Sequence, residues 1–131
     1  MKKEMVSILL IISGTLICGC IEQRPNLHYD VSFGVEKGIG MDTLVIRLKG
    51  EPADLVLRLY KVLEGGNSLK FLGEGIVYKG NFYQKGNTYE TEGRISFIGG
   101  LEGGTYKLEI YEGTANQPKN FIQSVTFSLP K

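Results

Sequence analysis

From Leu27 onward, apolar residues recur at every second position in short runs, and turn-forming residues separate the runs. Tyr29, Val31, Phe33 and Val35 alternate with His28, Asp30 and Ser32. The same period governs Leu44, Ile46 and Leu48, then Leu55, Leu57 and Leu59, then Ile95 and Phe97, then Tyr106, Leu108 and Ile110, then Val125, Phe127 and Leu129. A side-chain period of two belongs to a strand with one face buried. Between the runs lie Gly38 and Gly40, Glu51-Pro52, Gly65-Gly66-Asn67, Gly80-Asn81, Gly86-Asn87, Gly99-Gly100, Gly103-Gly104 and Asn116 to Pro118. No window sustains a helical period. Strands spaced by about 8–12 residues with turns between them predict an antiparallel sandwich or barrel. Seven or eight strands fit, depending on how the stretch from Leu69 to Tyr89 is divided.

The first twenty residues, MKKEMVSILLIISGTLICGC, follow a different rule. Lys2 and Lys3 form a positive end, and an apolar stretch runs from Met5 to Ile17, broken only by Ser7, Ser13, Gly14 and Thr15. This is the layout of a secretory signal, shorter than the ~20 apolar residues of a membrane-spanning helix. Ile17, Cys18, Gly19 and Cys20 close it, and this ending resembles the lipobox of prokaryotic lipoproteins. The resemblance implies cleavage before Cys20, a diacylglyceryl thioether on Cys20, and attachment at the extracytoplasmic face of a cell membrane. Cys18 falls in the discarded segment. Two acyl chains anchor stably where one does not. The organisation expected is a signal peptide over 1–19, a lipidated cysteine and short polar tether over 20–26 that includes Pro25, and one β domain over 27–131. Ile21 follows the cysteine where diderm lipoproteins retained at the inner membrane carry Asp.

Removal of Lys2, Lys3 and Glu4 from 15 basic and 14 acidic residues leaves 13 of each. A neutral chain without a basic run lacks the cationic surplus that a phosphate backbone demands, so nucleic acid is not an expected partner. No cysteine follows Cys20, and a disulfide within the domain is not expected.

Leu101-Glu102-Gly103-Gly104-Thr105-Tyr106 leads into an alternating strand. This resembles the turn before the penultimate strand of fibronectin type III and related immunoglobulin-like domains. The resemblance implies an immunoglobulin-like antiparallel β-sandwich. It also makes Tyr106 a corner tyrosine, its ring in the core and its hydroxyl returned to nearby backbone. The strand after it, Phe121 to Leu129, is expected to be the last. Tryptophan and an intersheet cysteine pair, both features of antibody domains, are missing.

Catalytic chemistry finds little to build on. His28 is the single histidine and reads as a solvent-facing strand residue. No Gly-x-Ser-x-Gly elbow occurs. One histidine and no thiol beyond Cys20 cannot supply a zinc set. Asp42, Glu51 and Asp54 lack EF-hand spacing and read as solvated acids. Gly73-Glu74-Gly75 and the glycines from Gly99 to Gly104 precede strands, not the helix N-terminus that phosphate loops require, and read as hairpin turns. Glu90 and Glu92 share a strand face and read as its wet side. No cofactor, metal or enzymatic activity is expected.

The stretch from Tyr78 to Tyr89, YKGNFYQKGNTY, sets Tyr78, Phe82, Tyr83 and Tyr89 among Lys, Asn and Gln. Aromatic and amide side chains on loops suit a recognition surface. They suit better still edge strands whose rings cap a sandwich. The function expected is a non-enzymatic binding or scaffold module contacting a protein or an envelope component. Alternatives are an accessory subunit of a membrane transport or secretion complex, or a carrier holding a small ligand between its sheets.

Overall fold

A computed structural model describes residues 27–114 and 116–130, with Pro118 and Lys119 as backbone alone. The signal, the lipobox residues Ile17, Cys18, Gly19 and Cys20, and the 20–26 tether lie outside the described residues. Eight strands follow in order: β1 (Asp30–Gly38), β2 (Met41–Lys49), β3 (Leu55–Val62), β4 (Leu69–Val77), β5 (Tyr83–Lys85), β6 (Thr88–Ile98), β7 (Gly104–Thr114) and β8 (Gln117–Leu129). One turn of 3-10 helix, Lys79–Asn81, joins β4 to β5. The uncertain middle stretch is thus two strands, that turn, and the start of a third.

All pairings are antiparallel. One sheet has the order β1-β2-β6-β5, the other β4-β3-β7-β8. With letters assigned in chain order these are A-B-E-D and C′-C-F-G, the immunoglobulin arrangement. The last strand begins at Gln117, four residues before the expected Phe121.

Alternation places one row of each strand inside. Leu44, Ile46 and Leu48 of β2, Leu55, Leu57 and Leu59 of β3, and Leu108 and Ile110 of β7 are fully or almost fully buried in one cluster with Ile95. Each such side chain contributes about 1.5–3 kcal/mol of transfer free energy. Along one open side, Phe33 of β1 stacks on Phe127 of β8 with centroids 3.7 Å apart, and Tyr106 lies 5.6 Å beyond. The buried Tyr106 hydroxyl donates to the Glu102 carbonyl, the corner that its sequence setting implied. Tyr29 forms a second rivet. Its hydroxyl donates to the Glu51 carbonyl at 2.6 Å, and its backbone exchanges hydrogen bonds with the Gln123 amide at 2.8 and 3.1 Å.

Two expectations need correction. Gly73-Glu74-Gly75 is no hairpin turn but the middle of β4. A Cβ on Gly73 would come within 2.9 Å of Ile95 Cγ2, and one on Gly93 of β6 within 2.5 Å of Leu57 Cδ1. These glycines let the two sheets approach along the β4 side. The run from Gly99 to Gly104 is a turn but no hairpin, because it carries the chain from β6 to β7 in the other sheet, whereas Gly86, with a φ of +66°, forms the two-residue β5–β6 hairpin turn. Asp42, in turn, is no solvated acid. It is 6% exposed, and its carboxylate accepts the Leu101 N–H at 2.9 Å and Lys37 Nζ at 3.4 Å.

Gly93→Ala is expected to overpack the core beside Leu57 and cost about 1–3 kcal/mol, read as a lower urea midpoint with unchanged slope. Asp42 carries a second expectation. The Leu101 N–H, followed by Lys37, holds its carboxyl below the usual range. The stabilisation is therefore complete above the unfolded value of about 4 and is lost as pH falls through the lower folded value. Asp42→Ala should melt below the parent at neutral pH, with the gap narrowing across that acid window.

Candidate recognition surface

The two outer faces of the sandwich differ in chemistry. On the β1-β2-β6 face, Arg94 holds Glu36 through two bonds of 2.8 and 3.2 Å and reaches Glu92 at 3.5 Å. Arg47 joins Glu92 at 3.2 Å, and Thr43 and Ser96 share a 3.0 Å hydrogen bond. Val45, 4% exposed, lies in this outer row between Gly34 and Arg94. Glu90 and Glu92 are its wet side, as their spacing predicted.

The outer face of β4-β3-β7-β8 is built from rings. Tyr60 of β3 pairs with Phe71 of β4, centroids 5.6 Å apart and planes at 65°. Tyr111 of β7 pairs with Phe121 of β8, also at 5.6 Å, at 72°. Phe71 is 53% exposed and Phe121 57%. Between these pairs runs a charged row. Arg58 Nε donates to Glu74 at 3.0 Å, and the Arg58 guanidinium lies 5.4 Å from the Tyr111 ring centre. The Tyr111 hydroxyl donates to Glu109 at 2.8 Å. That bond to Glu109 pushes the Tyr111 phenol up, while burial does most of this for Tyr60. Both phenols stay protonated across the neutral range, and that of Tyr111 stays a donor.

Arg58 pairs with Glu74 and Lys107 with Glu109, and the Phe71 and Phe121 rings beside them are more than half exposed. Ring pairs tilted by 65° and 72° give no coplanar platform for a sugar. A charged row through the middle suits hydrocarbon poorly. Aromatic anchors beside a partnered arginine are the composition of protein-binding hot spots.

The aromatic quartet near residues 78–89 is not gathered into one surface. Phe82 turns inward, 6.3 Å from the Tyr29 ring. Tyr83 faces the Glu90 side of the β5–β6 hairpin and Tyr89, one residue on, the other. Tyr78 stands exposed before the 3-10 turn. Tyr89 instead borders an open cleft of about 800 Å³ with His28, Asp30, Lys49, Glu51 and Lys79. His28 precedes β1, and among the described residues no carboxylate or hydroxyl hydrogen-bonds it. Asp54 accepts the Lys79 N–H at 2.8 Å. No cluster of three metal-ligating side chains occurs among the described residues. Nor is any of their helices long and apolar enough to cross a membrane. Leucine side chains and glycine approaches occupy the space between the sheets, leaving the small-ligand carrier without support.

Phe71→Ser and Phe121→Ser should each change unfolding free energy by less than about 1 kcal/mol, as surface positions do. Leu108→Ala, in the core, should cost about 2–5 kcal/mol in the same denaturant titration. Similar losses at all three sites would make the rings structural.

No family model matches the sequence, and no curated protein matches it. Among solved structures, the crystal structure of the MHC-like protein MILL2 aligns with 78% of this chain and 40% of its own, at 16% identity and a TM-score of 0.48. The chain thus spans about two fifths of that protein's length, and the match bears on neither partner nor activity.

Proposed function

We propose that the chain is a lipid-anchored, extracytoplasmic binding module without enzymatic activity, which recognises protein through the outer face of β4-β3-β7-β8. The observation that carries the recognition half is the contrast between the two outer faces. One is covered by ion pairs and carries an exposed ring at its β5 edge, Tyr83, while the other sets two Tyr–Phe pairs side by side with Phe71 and Phe121 more than half exposed. Exposed rings grouped on one sheet face beside a paired arginine have the composition of an interaction site.

The anchor half rests on the sequence of the leader. Cleavage before Cys20 and acylation of its thiol would leave the 20–26 tether between bilayer and domain. At 3.3–3.6 Å per extended residue, seven residues reach about 25 Å at most. A domain held that close meets partners at or near the same membrane, a setting shared by a free-standing scaffold and by the subunit of a membrane complex.

The anchor has a direct test. Cys20→Ser in the full-length chain should move the protein from the membrane pellet to the soluble fraction after high-salt washing. Persistence in the detergent phase would remove the lipid anchor from the proposal and leave the recognition face untouched.

A further inference from the structure

The aromatic face has a local twofold axis. Arg58 and Glu109 are cross-strand partners on the two central strands, β3 and β7. A dyad through their midpoint, normal to the sheet, exchanges 58 with 109 and therefore Tyr60 with Tyr111. It also exchanges their partners on the edge strands, Phe71 with Phe121. The correspondence reaches the backbone. The β3–β4 register shifts between Leu59 and Tyr60, and the β7–β8 register between Ile110 and Tyr111. Both Tyr–Phe pairs have the same 5.6 Å separation and nearly the same tilt. Strand spacing and rise put the two pairs roughly 16 Å apart on a diagonal of the sheet.

We infer that this face pairs with the same face of a second copy of the chain. The inference rests on the reading of the face as a protein-recognition surface. A closed twofold contact requires one patch to be complementary to itself. Rotation about an axis in the interface, along the diagonal, sets each Tyr–Phe pair of one copy against the same pair of the other. Both exposed phenylalanines are then covered together. With the axis along the diagonal, strand spacing and rise bring Arg58 of one copy nearer to Glu109 than to Arg58 of the other, so opposite charges meet at the centre. With the contact centred on a diagonal, strands of the two sheets cross at a steep angle, as in orthogonal sheet packing. Four strands of about eight residues present a projected area of roughly 500 Å². That falls below the ~800 Å² per partner of a standard interface and marks a weak, reversible dimer.

Photocrosslinking in cells making the tagged full-length chain tests this. Phe71→benzoylphenylalanine and Phe121→benzoylphenylalanine are made separately, with Ser96→benzoylphenylalanine on the opposite face as control. Adducts of twice the chain mass are expected from positions 71 and 121 and not from 96. Peptide mapping should place the links on Tyr60, Phe71, Tyr111 or Phe121 of the second copy. A homodimer adduct from only one of the two positions, or one mapped to another surface, overturns the symmetric pairing. Adducts with a different protein at both positions overturn the second copy as occupant while leaving the recognition face in place. Absence of adducts at both, or equal yield from the control, overturns the pairing and the recognition face together.

Discussion

Apolar contact between two sheet faces is the constraint on which this domain depends. No cysteine follows Cys20, so the sheets are not tied by a disulfide. Leu55, Leu57 and Leu59 of β3 must therefore find close neighbours across the sandwich. Gly93 answers this requirement at Leu57, and Gly73 at Ile95, by withdrawing a side chain where the opposing strand comes nearest. The polar fixings serve the same contact. Tyr106 ties the start of β7 to its preceding turn, and Tyr29 ties the entry of the first sheet to Gln123 in the second. Each keeps a ring inside while satisfying its hydroxyl, which removes the penalty of burying a tyrosine.

Features governed by neighbouring residues were legible in the sequence. The alternating rows of β2, β3 and β7 fall on the expected sides. Tyr106 was identifiable because a corner tyrosine needs only a turn, a ring and a following strand. Features governed by distant partners were not. Gly73 and Gly75 look like turn residues until Ile95 is placed against them. Asp42 looks like a wet acid until the loop that bears Leu101 folds over it. The recognition face was half visible. Tyr60 and Tyr111 belong to the outward rows that alternation defines. Their meeting with Phe71 and Phe121 depends on strand order and register, which no local period encodes. The cluster of rings around residues 78–89 drew attention by composition, yet strand alternation and the pull of the core scatter it.

The two outer faces illustrate how a sandwich divides its surface. Glu36, Arg94, Glu92 and Arg47 lie in neighbouring strands and satisfy one another, so that face gains little from a partner. On the other face Arg58, Glu74 and Glu109 are equally well paired, but rings rise beside them. Pre-paired charges of this kind lower the desolvation cost of docking, because their hydrogen bonds are already made before water leaves. Arg58 is thus held in place for stacking and charge recognition without a search among its rotamers.

The register shifts beside Tyr60 and Tyr111 have a further consequence. They fall on the pairings that carry the two edges of this sheet, β4 and β8, and β8 is shifted a second time between Glu112 and Gly113. An edge interrupted in this way twists and offers no long, regular ladder to an incoming strand. Edge-on growth into ribbons is thereby discouraged, even though the sheet carries enough exposed aromatic surface to make such stacking attractive. The irregularities that seat the rings also make both edges of this sheet poor templates for backbone pairing.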